Sequence, residues 1–211
     1  MALLADYVQR LGQYLNAFKM EAVSDDPATN AAGGKPGFPN GKLERAARDA
    51  AAAIFTLIAS NPTHPRRSSL MTPATIAASG DLLPAHLGPI GAVRIAAKHA
   101  DRTSADDVQR LIDNVLGLTL TEGHYGLDAE RIYFAGTPCT VDVVAPPAEP
   151  VDPDIVPEEF VNAVVARALA FLFPLEGENL AAAQHFDKIA SDYEARVANN
   201  ISPPEVPAFE G

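Results

Sequence analysis

An α+β fold, mainly helical with a small β insertion, is predicted by three features of this 211-residue sequence. Alanine-rich segments with apolar residues at helical spacing occupy both ends of the chain. Short β-branched and aromatic runs punctuated by Gly and Pro occupy the middle. Near the C-terminus, Pro174 and Gly177 interrupt a long helical run and fold it into an αα-hairpin. The expected organisation is one domain over residues 1–200, a helical bundle whose core covers 3–60 and 157–200. A β-containing insertion at 70–146 carries short antiparallel strands, and an extended tail covers 201–211.

The first helix is expected from about Leu3 to Ala22, because Leu4, Val8, Leu11, Leu15 and Phe18 recur at steps of four and three. Residues 23–41 hold three prolines and four glycines without periodicity and predict a long loop. Gly33-Gly34-Lys35 there lacks the spacing and the preceding strand of a phosphate loop. "GKLERAARDAAAAIFTLIAS" predicts the second helix, with Leu43, Ala47, Ala50, Ile54, Leu57 and Ile58 on one face. The prolines of "NPTHP" stop it.

In the middle, "TPATIAAS" and "PIGAVRIAAK" read as extended segments separated by the turn-rich "GDLLPAHLG". A short helix is expected from Ser104, with Asp107 in capping-box position. "EGHYGLDAE" reads as turn residues, and "RIYFAG" and "CTVDVVAP" as a hairpin closed by "GTP". "PPAEPVDPDIVP" (146–157), with its repeated prolines, predicts an extended connector.

The last helical run is expected to start near Pro157, with Glu158 and Glu159 at its positive end. Val161, Val164, Val165, Ala168, Leu169 and Leu172 form its buried face. The second arm places Ala182, Phe186, Ile189, Tyr193 and Val197 at helical spacing, with Glu176 and Glu178 at its start. The tail "SPPEVPAFEG" cannot be helical, and its removal is expected to leave the fold intact.

Composition restricts function. A chain of this length buries about 70% of its unfolded surface, so the core needs neither metal nor disulfide. Cys139 is the single cysteine, which excludes an internal disulfide or a Cys-rich zinc site and suits a reducing compartment. No apolar run reaches the roughly 18 residues that span a bilayer, and the acid at Asp6 with no basic start argues against a signal peptide. The net charge is −11, and from Ala145 onward twelve acids face only Arg167, Lys188 and Arg196. Gripping nucleic acid requires the opposite sign.

No catalytic motif emerges. His64, His86, His99, His124 and His185 form no helical metal-site pair, and HExxH is absent. Adjacent Asp106–Asp107 and Glu158–Glu159 point different ways on a helix and suit its N-terminal dipole. Cys139 acts as a nucleophile only if a histidine approaches it in space. The residues predict no enzyme, no cofactor and no metal.

The order of elements is more informative than any one of them. An apolar-striped helix precedes "LERAARDAAAAIF", then "ASGDLLPAHLGPIGAVRIAA", "YGLDAERIYFAG" and "VPEEFVNAVVARALAFLFPLEGENLAAAQHFDKIASDYEAR". From about Leu3 to Ile201 this resembles the head-to-tail adaptor (connector) proteins of tailed bacteriophages. The 23–41 loop and the Pro-rich tail depart from the shared pattern.

The resemblance implies a structural protein of the virion neck, assembled in the host cytoplasm, forming a homo-oligomeric ring, usually dodecameric. Its implied partners are the portal protein ring and tail or nozzle proteins. The ring extends the channel for double-stranded DNA, which passes without specific binding, and no membrane is involved. Being Pro-rich with one aromatic, the tail suits docking, and Pro203, Pro204, Val206, Pro207 and Phe209 are its expected portal-docking residues. Two other classes are weighed against this one: an intracellular helical binding or regulatory module, and a hydrolase using Cys139 or a histidine.

Overall fold

The fold is α+β, and a computed structural model describes residues 4–17, 39–113, 123–173 and 180–207. In chain order its elements begin with helix α1 (Leu4–Ala17), helix α2 (Asn40–Ser60), a 3-10 turn (Pro65–Leu70) and strands β1 (Thr72–Ile76), β2 (Val93–Ile95), β3 (Lys98–His99) and β4 (Asp101–Thr103). Helix α3 (Ala105–Ile112) precedes β5 (His124–Asp128), β6 (Arg131–Phe134) and β7 (Cys139–Val143). Two 3-10 turns (Pro153–Ile155 and Glu158–Phe160) then lead to helices α4 (Val161–Leu172) and α5 (Leu180–Ala198). These divide into two compact units, Met1–Ile58 with Pro147–Gly211, and Ala59–Pro146.

In the helical unit, α1 buries Tyr7, Leu11 and Leu15, four residues apart, so its inward face is rotated from the expected stripe. Leu4 and Val8 are only half-buried, and Phe18 lies outside the described residues. Almost all of the 23–41 loop also lies outside them. Helix α2 buries Leu43, Ala46, Ala47, Ala50, Ala51, Ile54, Phe55 and Ile58. That face gains Ala46, Ala51 and Phe55 over the expected stripe, while the expected Leu57 is only half-buried.

Helix α4 departs most from amphipathicity. Nine of its residues are buried, Ala163, Ala166 and Ala170 among them, which is the pattern of a helix enclosed on nearly all sides. Its α-helical turns begin at Val161 rather than near Pro157. The Glu158–Phe160 segment forms a 3-10 turn instead, with Phe160 N–H donating to Pro157 O at 2.9 Å and the Phe160 ring fully buried.

Helix α5 packs antiparallel on α4. Phe173 and Phe186 stack with centroids 5.0 Å apart. Farther along, Arg167 of α4 donates through Nε to Glu194 Oε1 at 2.6 Å and lies 3.5 Å from Asp187. Ala190 takes the buried position expected of Ile189, which is half-buried. Pro174, Gly177, Glu176 and Glu178 lie outside the described residues. The connector is less extended than expected: it contains a 3-10 turn and buries Val151 and Val156, with Arg48 Nη1 donating to Val151 O at 2.5 Å.

The β unit has a core of its own. One sheet has the order β1-β7-β2-β3 and is antiparallel throughout. The other has the order β4-β5-β6, with β4 parallel to β5, so the strands are not all antiparallel. Ile76, Val93, Ile95, Cys139, Val141 and Val143 of the first sheet share a core with Tyr125, Ile132 and Phe134 of the second.

Three strand assignments are corrected here. "HYGLD" is strand β5, not a turn. Its Gly126 allows a close approach, since a Cβ there would lie 2.5 Å from Ala105 Cα at the start of α3. β6 pairs with β5 through a reversal at Ala129 (φ 51°), whereas β7 joins the other sheet. "GTP" therefore connects two sheets and closes no hairpin. "VRIAAKH" is itself a hairpin, reversed at Ala96 and Ala97 with φ of 50° and 65°. Alanines carry no signal for that turn, which usually takes Asn or Gly.

At the start of α3 the Ser104 N-cap forms as expected, but the Asp107 carboxylate meets the Ser104 hydroxyl and not the backbone N–H that a full capping box uses. Asp107 N–H donates to Ser104 Oγ at 3.0 Å, and Ser104 Oγ–H donates to Asp107 Oδ2 at 2.6 Å.

Candidate functional site

Helix α5 ends in a turn that reverses the chain. Asn200 takes φ of 55°, its N–H donates to Val197 O at 2.8 Å, and Ile201 N–H donates to Arg196 O at 2.8 Å. This is a Schellman cap with asparagine in the left-handed position. Beyond it, Pro203, Pro204 and Pro207 fix φ near −65° and bias their preceding residues to extended backbone. The segment 201–207 accordingly has no helix or strand.

That segment lies in a groove of the helical unit, where side chains of three helices donate to its carbonyls. Asn162 Nδ2 of α4 donates to Pro203 O at 3.2 Å. Tyr193 OH of α5 donates to Glu205 O at 3.1 Å, and Tyr14 OH of α1 donates to Val206 O at 2.7 Å. Ser202 anchors the near end by donating to Glu159 O at 2.9 Å. Pro203 and Val206 are buried, while Pro204, Glu205 and Pro207 are exposed.

An open cleft of about 930 Å³ adjoins the segment, lined by Arg10, Gln13 and Tyr14 of α1, Asn162 and Val165 of α4, and residues 205–207. Arg10 Nη1 donates to Asn162 Oδ1 at 3.4 Å between two of these lining residues. Burial raises the Tyr14 pKa, with the Glu205 carboxylate adding to the effect, and burial likewise raises that of Tyr193. Both hydroxyls therefore keep their protons and remain donors.

The five tail residues singled out by sequence divide accordingly. Pro203 and Val206 face the molecule's own helices, Pro204 and Pro207 face solvent, and Phe209 lies outside the described residues. The tail, expected from sequence to be dispensable for the fold, is seated against three of its helices. Sequence reading missed Tyr14, Asn162 and Arg10, and took Tyr193 only as core. Hydroxyls on two helices far apart in sequence give no sign that they converge on one strand of backbone.

Cys139 and two of the five histidines, His64 and His86, have structural roles. Cys139 is fully buried in β7, and burial pushes its thiol up to about 11, which disfavours the nucleophilic thiolate. His64 Nδ1 accepts from Arg66 N–H at 3.1 Å and caps the first 3-10 turn, and His86 Nδ1 lies 2.8 Å from Gly88 O. Arg67, also buried, donates through Nε to Ala59 O at 2.8 Å and through Nη2 to Pro89 O. Ala59 O belongs to the last turn of α2, where a cation is favoured by the helix dipole. Among the described residues no group of three or more His, Cys, Asp or Glu side chains could hold a metal ion.

No protein-family model matches this chain, and no curated protein matches it at a significant level.

Proposed function

We propose that this chain is a structural subunit of a tailed-phage virion, forming the head-to-tail adaptor ring between portal and tail, without catalysis or cofactor. The observation that carries the proposal is the arrangement of elements: a β unit inserted between α2 and α4, followed by the antiparallel pair α4 and α5. This is the element order on which the resemblance to adaptor proteins rests. Helix α5, with five of its nineteen residues buried, offers a flank for the side-by-side interfaces that close a ring.

Charge supports a DNA conduit rather than a DNA reader. The helical unit carries eighteen acids against nine bases, the β unit nine against seven. Acidic surface along a channel repels phosphate and lets a duplex slide. In this reading the portal ring and tail or nozzle proteins are the partners. The solvent-facing Pro204 and Pro207, with Phe209 beyond them, are the tail's contribution to docking.

Electron microscopy of purified virions and portal complexes tests the assignment. The chain is expected as a ring at the neck, and its absence from that position would overturn the proposal. A second reading, a helical binding module, draws on the open cleft beside Arg10. A stable monomer that ignores a portal ring and holds a non-viral partner with nanomolar affinity would favour it.

A further inference from the structure

We infer that the groove formed by Tyr14, Asn162 and Tyr193 is a receptor for extended proline-rich segments, and that it takes residues 202–207 of a second copy of this chain in place of its own. The inference does not depend on the virion reading.

The chemistry of recognition is on view in the seated segment. Three side-chain donors from three helices bind the carbonyls of Pro203, Glu205 and Val206. Two apolar knobs, Pro203 and Val206, occupy the groove three residues apart. An extended Pro-rich strand has about three residues per turn, so knobs at this interval fall on one side. Among the described residues no main-chain to main-chain hydrogen bond holds 202–207. Recognition thus reads carbonyl positions and proline shape, as grooves for proline-rich peptides do.

The occupant follows from this geometry. Each contact above is made by the segment and none by its covalent link to α5. The same six residues of another copy would reproduce all of them, which is the condition for low-cost exchange between protomers. The link itself is a short reversal at Asn200, whose left-handed conformation forms the cap of α5. Opening it gives up two cap hydrogen bonds and releases that conformation. An extended segment of six or seven residues then reaches about 20 Å.

Two full-length variants test the exchange by complementation. A groove variant combines Tyr14→Phe, Asn162→Ala and Tyr193→Phe and keeps its tail. A tail variant combines Pro203→Gly and Val206→Asp and keeps its groove. With donor and acceptor dyes at the amino termini, energy transfer is expected when groove and tail variants are mixed, and not when two differently labelled tail variants are mixed. Equal transfer in both mixtures, or none in either, overturns the inference.

A peptide measurement covers the case of a variant that does not fold. A fluorescent peptide of residues 201–207 is expected to bind wild-type chain saturably, and a folded tail variant about tenfold or more tightly, because the tethered tail competes at high effective concentration. The same peptide with Val206→Asp should not bind. Wild-type chain that fails to bind the unmodified peptide, or binds both peptides equally, overturns the inference.

Discussion

Tyr14 and Tyr193 each pack a ring among helices and place the hydroxyl on a carbonyl of the C-terminal segment. Tyr7, two turns earlier on the same side of α1, is 1% exposed, and among the described residues its hydroxyl has no hydrogen-bond partner. The same substitution should therefore act with opposite signs. Tyr14→Phe or Tyr193→Phe removes a made hydrogen bond and should cost about 1 kcal/mol, whereas Tyr7→Phe removes an unmet one and should stabilise by up to about 1 kcal/mol. Equilibrium urea unfolding measures all three. Ionisation adds a pH dependence. Burial pushes Tyr7 up to about 12 and Cys139 to about 11, against ordinary values of 10.0 and 9.0. Between those values the unfolded chain releases protons that the folded chain keeps, so stability falls as pH rises. Below pH 9 these groups contribute no slope. The loss should begin near pH 9, grow to about pH 12, and shrink in Tyr7→Phe, as read by thermal melts across that range.

At the level of elements, the α4–α5 pair depends on Phe186, fully buried and stacked on Phe173. Phe186→Ala should cost about 3–5 kcal/mol by opening a cavity that helices on both sides cannot fill. The Ser104 cap of α3 is local, and Ser104→Ala should cost about 1 kcal/mol. The tail behaves as an element too. Removing residues from Ser202 onward deletes four hydrogen bonds and uncovers Pro203 and Val206, offset by the entropy of ordering the strand. A net destabilisation of roughly 1–3 kcal/mol is expected. A truncated chain with unchanged urea midpoint would show that the groove contacts contribute nothing to the fold. Helices, their approximate bounds and the Ser104 cap were legible because each depends on residues within one or two turns. The strand pairing was not: β6 and β7 are adjacent in sequence but lie in different sheets. Alternation marks a strand without saying which strand it pairs with.

Across the whole molecule, two cores and an uneven charge distribution matter most. Among the described residues no helix is long and apolar enough to cross a membrane. The net charge of −11, concentrated in the helical unit, predicts no retention of the chain on duplex DNA at about 0.1 M salt. Mobility-shift measurement checks this, and tight binding would contradict the conduit proposed for the ring. The second core explains why the middle of the chain is a unit in its own right rather than a decorated loop. Ile95, Val141 and Ile132 from two sheets are all at most 1% exposed and belong to one cluster drawn from the β unit.

By itself the sequence determined the fold class, the helical ends, the inserted strands and the acidic balance. Those properties follow from periodicity, β-branching, proline and charge, which act over a few neighbouring residues. Only the tertiary structure decided that α4 is enclosed on nearly every side, that Gly126 admits the start of α3, and that the proline-rich tail is seated rather than free. Each of these depends on groups tens to nearly two hundred residues apart meeting in space. Tyr14 and Val206 show why: hydroxyl and carbonyl are both ordinary in sequence, and only the packing of α1 beside the tail gives either of them a partner.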